Sequence, residues 1–141
     1  MTTLEPIAVT FAGLGLPPAL VKALEAAGIE APFPIQALTV PDGLAGRDVC
    51  GKAKTGSGKT LAFGLPLLAR VSHAEPQRTR ALVLVPTREL ALQVTEVLEP
   101  LAQAVERRVA AVYGGARMDK QIAALRSGVD VVIATPGRLI D

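Results

Sequence analysis

Residues 48–70 read DVCGKAKTGSGKTLAFGLPLLAR, and the fold turns on how this stretch divides. The run DVCG, 48–51, is short and apolar, AKTGSGKT, 53–60, is a glycine-bearing loop, and LAFGLPLLA has the apolar density of a helix packed on a core. Strand, loop and helix in that order come close to the phosphate-cradling pattern G-x-x-x-x-G-K-[ST], with Ala53 in place of the leading glycine. The physical reasons for the pattern survive that change. Gly56 and Gly58 let backbone N–H groups curl around phosphate oxygens, and a helix starting at Lys59 turns its positive end toward the same anion. Lys59 then reaches the β- and γ-phosphates of a nucleotide, and Thr60 offers its hydroxyl to the accompanying Mg²⁺, with Ala53, Thr55 and Ser57 completing the cradle. Lys54 reads as a solvated lysine. A glycine-rich turn from strand to helix needs no ligand by itself; the apolar strand before it and the helix after it favour the phosphate reading.

Outward from this loop the pattern repeats. RALVLV from Arg80, RVAAVYG from Arg108 and DVVIAT from Asp130 are rich in β-branched and aliphatic residues. Between them, RELALQVTEVLEPLAQAV places Leu90, Val94, Val97, Leu98, Leu101 and Val105 at helical spacing, with Pro100 expected to bend or end the helix early. RMDKQIAALRSG repeats the design and closes on Gly128. Counting DVCG as the first strand, strand and helix alternate four times. Strands that are continuous apolar runs belong in a parallel sheet covered by helices on both faces, so the chain is expected to be a doubly wound α/β domain. Upstream, PPALVKALEAAG predicts a short helix between Pro17 and Gly28 with Leu20, Leu24 and Ala27 on one face, and a brief helix is expected around Ile35 to Val40.

A length of 141 residues fits one domain, and a composition 50% hydrophobic and 20% charged excludes disorder as the ground state. The net charge of +2, split evenly between the two halves, names no partner. MTTLEPIAVTF has neither a basic start nor a long apolar stretch, and no apolar run approaches a membrane span, so the chain is expected to be unexported and cytoplasmic. The single cysteine, Cys50, is expected to be a buried thiol in its strand, and His73, with no second ligand nearby, a solvated loop residue.

In such a sheet, ligands gather beyond the carboxyl ends of the strands. PTRELA, 86–91, follows one strand and TPGR, 135–138, another. Each puts a threonine, Thr87 or Thr135, at a helix entrance with an arginine, Arg88 or Arg138, close behind. Taken singly these are ordinary caps and solvated arginines. On one edge, beside Gly114 and Gly115 of YGG, they suggest a track for a phosphate polymer, of which nucleic acid is the obvious one. With aromatics at 3%, recognition should lean on the backbone and show little sequence preference.

These residues carry a resemblance: the chain looks like the first RecA-like domain of a DEAD-box RNA helicase. AKTGSGKT is similar to that family's motif I, Pro86, Thr87 and Arg88 begin its motif Ia, Gly114 and Gly115 match its glycine pair, and Thr135, Pro136, Gly137 and Arg138 match motif Ib, all in order. PFPIQ with Gln36, and Phe11 upstream, resemble the Q motif, in which the glutamine is implied to read adenine; otherwise Gln36 is a solvated glutamine on a short helix. Two positions depart: Phe33 stands where threonine is usual, and Ile29 where an aromatic stacks on the base.

The resemblance implies a RecA-like P-loop NTPase, with residues 1–45 as the Q-motif region and 46–141 as a helicase core incomplete at its C-terminal end. It implies that ATP and Mg²⁺ close two such domains over RNA, bend one strand and part short duplexes. The acidic motif is then expected just past Asp141, and the second RecA-like domain, with its arginine, beyond that. The alternative is a nucleotide- or RNA-binding module without turnover, ending at Asp141.

Overall fold

A computed structural model describes residues 8–141. Part of the amino-terminal reading falls on 1–7 and so outside the described residues. Helices α1 (Pro18–Ala26) and α2 (Pro34–Leu44) each begin on a proline, whose missing N–H is one the first turn leaves unbonded anyway. Then follow α3 (Lys59–Arg70), β1 (Ala81–Leu84), α4 (Arg88–Ala104), β2 (Val109–Val112), α5 (Met118–Ser127), β3 (Val131–Ala134) and the short α6 (Pro136–Ile140). All three strands run parallel in the order β1-β3-β2.

The central strand is buried on both sides. Val131 and Ile133 join the main core with Leu65 and Leu68 of α3 and Val94, Leu98 and Leu101 of α4. Val132 and Ala134 meet Val112, Val129 and Leu125 of α5 in a smaller cluster. Helices on both faces of a parallel sheet are therefore found, as the apolar runs require. At β1 one face stays open, with Leu82 and Leu84 48% and 55% exposed. Among the described residues no helix is long and apolar enough to cross a membrane.

Several expectations are corrected. DVCG is extended but joins no ladder, so the sheet has three strands among the described residues, not four. A strand needs a hydrogen-bonded neighbour, and a cavity of about 550 Å³, walled by Val49 and Gly51 on one side and Val85, Leu90 and Val94 on another, separates this run from the end of β1. Cys50, without a sheet to cover it, is exposed rather than buried. The helix predicted around 35–40 extends through Pro41 to Leu44, and α4 continues through Pro100 to Ala104. Both prolines are on exposed positions, where water can serve the carbonyl freed four residues earlier. On α4 the buried stripe is Ala91, Val94, Leu98, Leu101 and Ala102, while Leu90 and Val97 lie outward; Ala27, beyond the last turn of α1, is also exposed. His73 is an exposed loop residue, 2.7 Å through Nε2 from Arg107 Nη1.

Asp130 stands at the amino end of β3, opposite the ligand edge, and is 4% exposed. Its carboxylate accepts the backbone N–H of Arg108 at 2.7 Å and that of Ala74, tying the loop before β1 to the start of β2. Replacing one acceptor oxygen by an NH₂ group leaves a buried N–H facing a donor. Asp130→Asn should therefore cost about 1 to 3 kcal/mol, read as a lower urea midpoint at unchanged slope.

Candidate functional site

The phosphate loop is built by turns and closed by a helix. Ser57 donates to the Lys54 carbonyl from both its backbone N–H, at 3.2 Å, and its hydroxyl, which folds 54–57 into a turn. Gly56 and Gly58 both take positive φ, 80° and 84°, which a side chain would oppose. Gly58 is the N-cap of α3, and the first helical bond it accepts is from Ala62 at 3.2 Å. The N–H groups of Lys59, Thr60 and Leu61 are thus the unbonded donors of a helix start, an arrangement that favours an anion. Ala53, Ser57 and Thr60 are half-buried along it, and Thr55 and Lys59 are exposed.

Gln36 braces this loop from below. Its side chain is 2% exposed; Oε1 accepts the Phe33 N–H at 2.9 Å and Nε2 donates to the Gly58 carbonyl at 3.0 Å. The first bond is half of a capping box at the start of α2, and the phenylalanine has no oxygen with which to return it. The second links α2 to the one residue that both ends the phosphate loop and caps α3. Phe33 is 52% exposed and presses on Gly58 too: a Cβ there would lie 2.8 Å from its Cδ2 and 2.3 Å from Gln36 Nε2. Phe11 is placed differently. At 3% exposure it is part of the core with Leu16 and Leu20, and it also lines a cavity of about 230 Å³ with Ile29 and Glu30.

Lys59 and Thr60 open into the cavity of about 550 Å³, whose far wall is Val85 and Leu90, on either side of the PTRE turn. No carboxylate lines it, and no cluster of three metal-ligating side chains occurs among the described residues. Pro86, Thr87 and Arg88 are exposed beside it, and Thr87 Oγ1 accepts the Leu90 N–H at 3.2 Å, the cap expected of it. Thr135 occupies the matching position before α6, yet its hydroxyl makes no capping bond; the five-residue helix begins Pro-Gly.

The remaining loops are cross-tied. Gly114 and Gly115 are exposed after β2, and Arg138 Nη1 donates to the Ala116 carbonyl at 3.3 Å. Arg138 is mostly covered, its side chain 16% exposed, so it holds the glycine loop as well as edging it; Pro136 and Gly137 stay exposed. Arg88 extends from the start of α4 to Tyr113, its Cζ 5.2 Å from the ring centroid. Tyr113, the sole tyrosine of the chain, went unweighed in the sequence because YGG was read for its glycines.

A family profile described as DEAD/DEAH box helicase matches residues 33–141. Over 139 residues, 94% of this chain, the sequence is 50% identical to the ATP-dependent RNA helicase RhlB of Xanthomonas oryzae pv. oryzae, of which the match covers 24%. It is 47% identical over 134 residues to the ATP-dependent RNA helicase DeaD of Haemophilus influenzae, covering 94% of this chain and 22% of that one. The chain thus spans about a quarter of the length of these curated relatives. In three dimensions it matches the crystal structure of a DEAD box protein from the hyperthermophile Methanococcus jannaschii with a TM-score of 0.86 at 36% identity, over 94% of this chain and 36% of that one.

The brace on Gly58 has a measurable consequence. Gly58→Ala adds a Cβ where none fits and forces a left-handed backbone that costs a residue with a side chain about 1 to 2 kcal/mol. Where the loop holds a nucleotide's phosphates, isothermal titration should show ADP affinity falling by about tenfold or more, the equivalent of about 1.4 kcal/mol. Gln36→Ala, which removes the strut, should weaken ADP and GDP alike; a loss confined to ADP would instead assign Gln36 a base contact.

Proposed function

The chain belongs to the DEAD/DEAH box helicase family, and we propose from that membership that it is the nucleotide- and RNA-contacting portion of an ATP-dependent RNA helicase that separates short RNA duplexes. The observation that carries this reading is the shared cavity: Lys59 and Thr60 of the phosphate loop open into the same space that Val85 and Leu90 of the PTRE turn wall from the other side. A nucleotide held by the loop thus lies on the same edge of the sheet as the turn that starts the proposed RNA track.

In this reading Ala53 and Thr55 to Thr60 hold the triphosphate of ATP, with Lys59 on its β- and γ-phosphates. Mg²⁺ is held by the phosphates and the Thr60 hydroxyl rather than by a protein cage, since the cavity lining supplies no carboxylate. Residues 1–45 form the Q-motif region, in which Phe11 and Gln36 belong to the nucleotide site, Gln36 also through its bond to Gly58, and 46–141 belong to the RecA-like core. Along the other half of the edge, Pro86 to Arg88, Gly114, Gly115 and Thr135 to Arg138 follow an RNA backbone by its phosphates, with little regard for sequence. A cytoplasmic setting suits a chain with one exposed thiol.

Phosphoryl transfer also needs a carboxylate near the metal and a positive charge on the transferring group. The open side of β1 supports a source for the first. An apolar strand entering between β1 and residues 48–51 would fill that gap, complete the ladder that DVCG lacks, and bring its own carboxyl end beside the phosphate loop. We assign that strand to the acidic motif following Asp141, and the charge to an arginine of a second RecA-like domain.

Binding and turnover should therefore separate. The 141 residues alone should bind ADP weakly, lose that binding on Lys59→Ala, and release no phosphate above background with saturating RNA. Phosphate release should return only in a chain that carries both the acidic strand and the second domain. Robust turnover by the 141 residues, abolished by Lys59→Ala, would contradict this assignment.

A further inference from the structure

We propose that Tyr113 is a positioning residue for Arg88: its ring seats the guanidinium above Gly115, so that the charge meets an RNA phosphate at a fixed place. The proposal rests on the RNA reading of this edge. Arg88 is exposed at the first position of α4, and among the described residues it makes no hydrogen bond or ion pair. An arginine so placed ordinarily samples many rotamers and loses that freedom when it binds. Here the Cζ is 5.2 Å from the Tyr113 centroid, inside the roughly 6 Å over which a ring face attracts a cation.

The ring is itself held. Tyr113 is half-buried and packs on the main core, and its carbonyl accepts Gln121 Nε2 at 3.0 Å. Gln121 Oε1 is buried without a partner among the described residues, so the amide is turned toward Tyr113 at the expense of its own acceptor. The seat is kept open by Gly115, where a Cβ would come within 2.9 Å of Arg88 Nη1. The loop beyond it is pinned by Arg138 through the Ala116 carbonyl. Tyr113 and Gly115 follow β2 and Arg88 follows β1, the two strands that flank β3. The contact therefore joins the two outer loops of the edge over the end of the middle one.

The experiment uses the full-length protein and a labelled oligouridylate, titrated across a series of salt concentrations. Arg88→Ala should weaken binding and lower the salt slope by about one. Tyr113→Leu and Tyr113→Met, two replacements so that a folding defect in one does not end the test, should each weaken binding about two- to fivefold, the equivalent of about 0.5 to 1 kcal/mol for an exposed cation–π contact. Tyr113→Phe should bind as the parent does, and in an Arg88→Ala background Tyr113→Leu should add nothing. Additive losses, or a Tyr113→Phe protein as weak as Tyr113→Leu, overturn the positioning role while leaving the RNA reading intact. An Arg88→Ala protein with unchanged affinity and salt slope overturns the RNA reading of this edge, and the proposal with it.

Discussion

Parallel pairing governs everything else in this molecule. Because β1, β2 and β3 run the same way, each strand must be left by a crossover, and every loop that starts a crossover emerges at one edge. PTRE, YGG and TPGR are far apart in the chain and neighbours in space for that reason alone. An antiparallel arrangement of the same apolar runs would scatter them between two edges. The fully buried β3 enforces the arrangement, since a strand apolar on both faces is stable only with helices above and below it.

The opposite edge does the anchoring. Asp130 gathers the backbone of the loop before β1 and of the entry to β2. Arg107 reaches the Val71 carbonyl through Nε at 2.8 Å, fixing the exit of α3 as well. A rigid base and a ligand edge made of exposed loops divide the labour usual in such sheets, where the scaffold holds position and the loops do the binding. The phosphate loop is the exception, because the Gln36 to Gly58 bond ties it to α2 and so to the amino-terminal half of the core.

Much of this was legible in the residues, and what was not has physical causes. Apolar runs flanked by turn residues located the three paired strands, and proline and glycine located the ends of α1 and α5. DVCG looked like the others because local pattern reports a willingness to be a strand, and only a neighbour makes one. Cys50 went with it. Pro100 was overweighted, since a helical proline forfeits one hydrogen bond while the buried stripe of α4 holds the helix on either side of it. At the site, spacing marked the loop and the arginines as candidates. It could not show that Gln36 is buried against Gly58, that Phe11 is core, or that Tyr113 lies beneath Arg88, because each is a contact between segments distant in sequence.

The outer side of β1 carries a further implication for how this chain behaves in a tube. Among the described residues, backbone donors and acceptors on that side are unpaired, and the adjoining face presents Leu82 and Leu84 with no charged residue between Ala81 and Val85. Proteins usually blunt such edges with lysine, proline or a covering segment, and Pro86 arrives only after the strand has ended. Two copies can therefore join edge to edge, extending one sheet through both. Solubility of the isolated 141 residues is then a matter of concentration, and self-association competes with whatever strand this edge was shaped to receive.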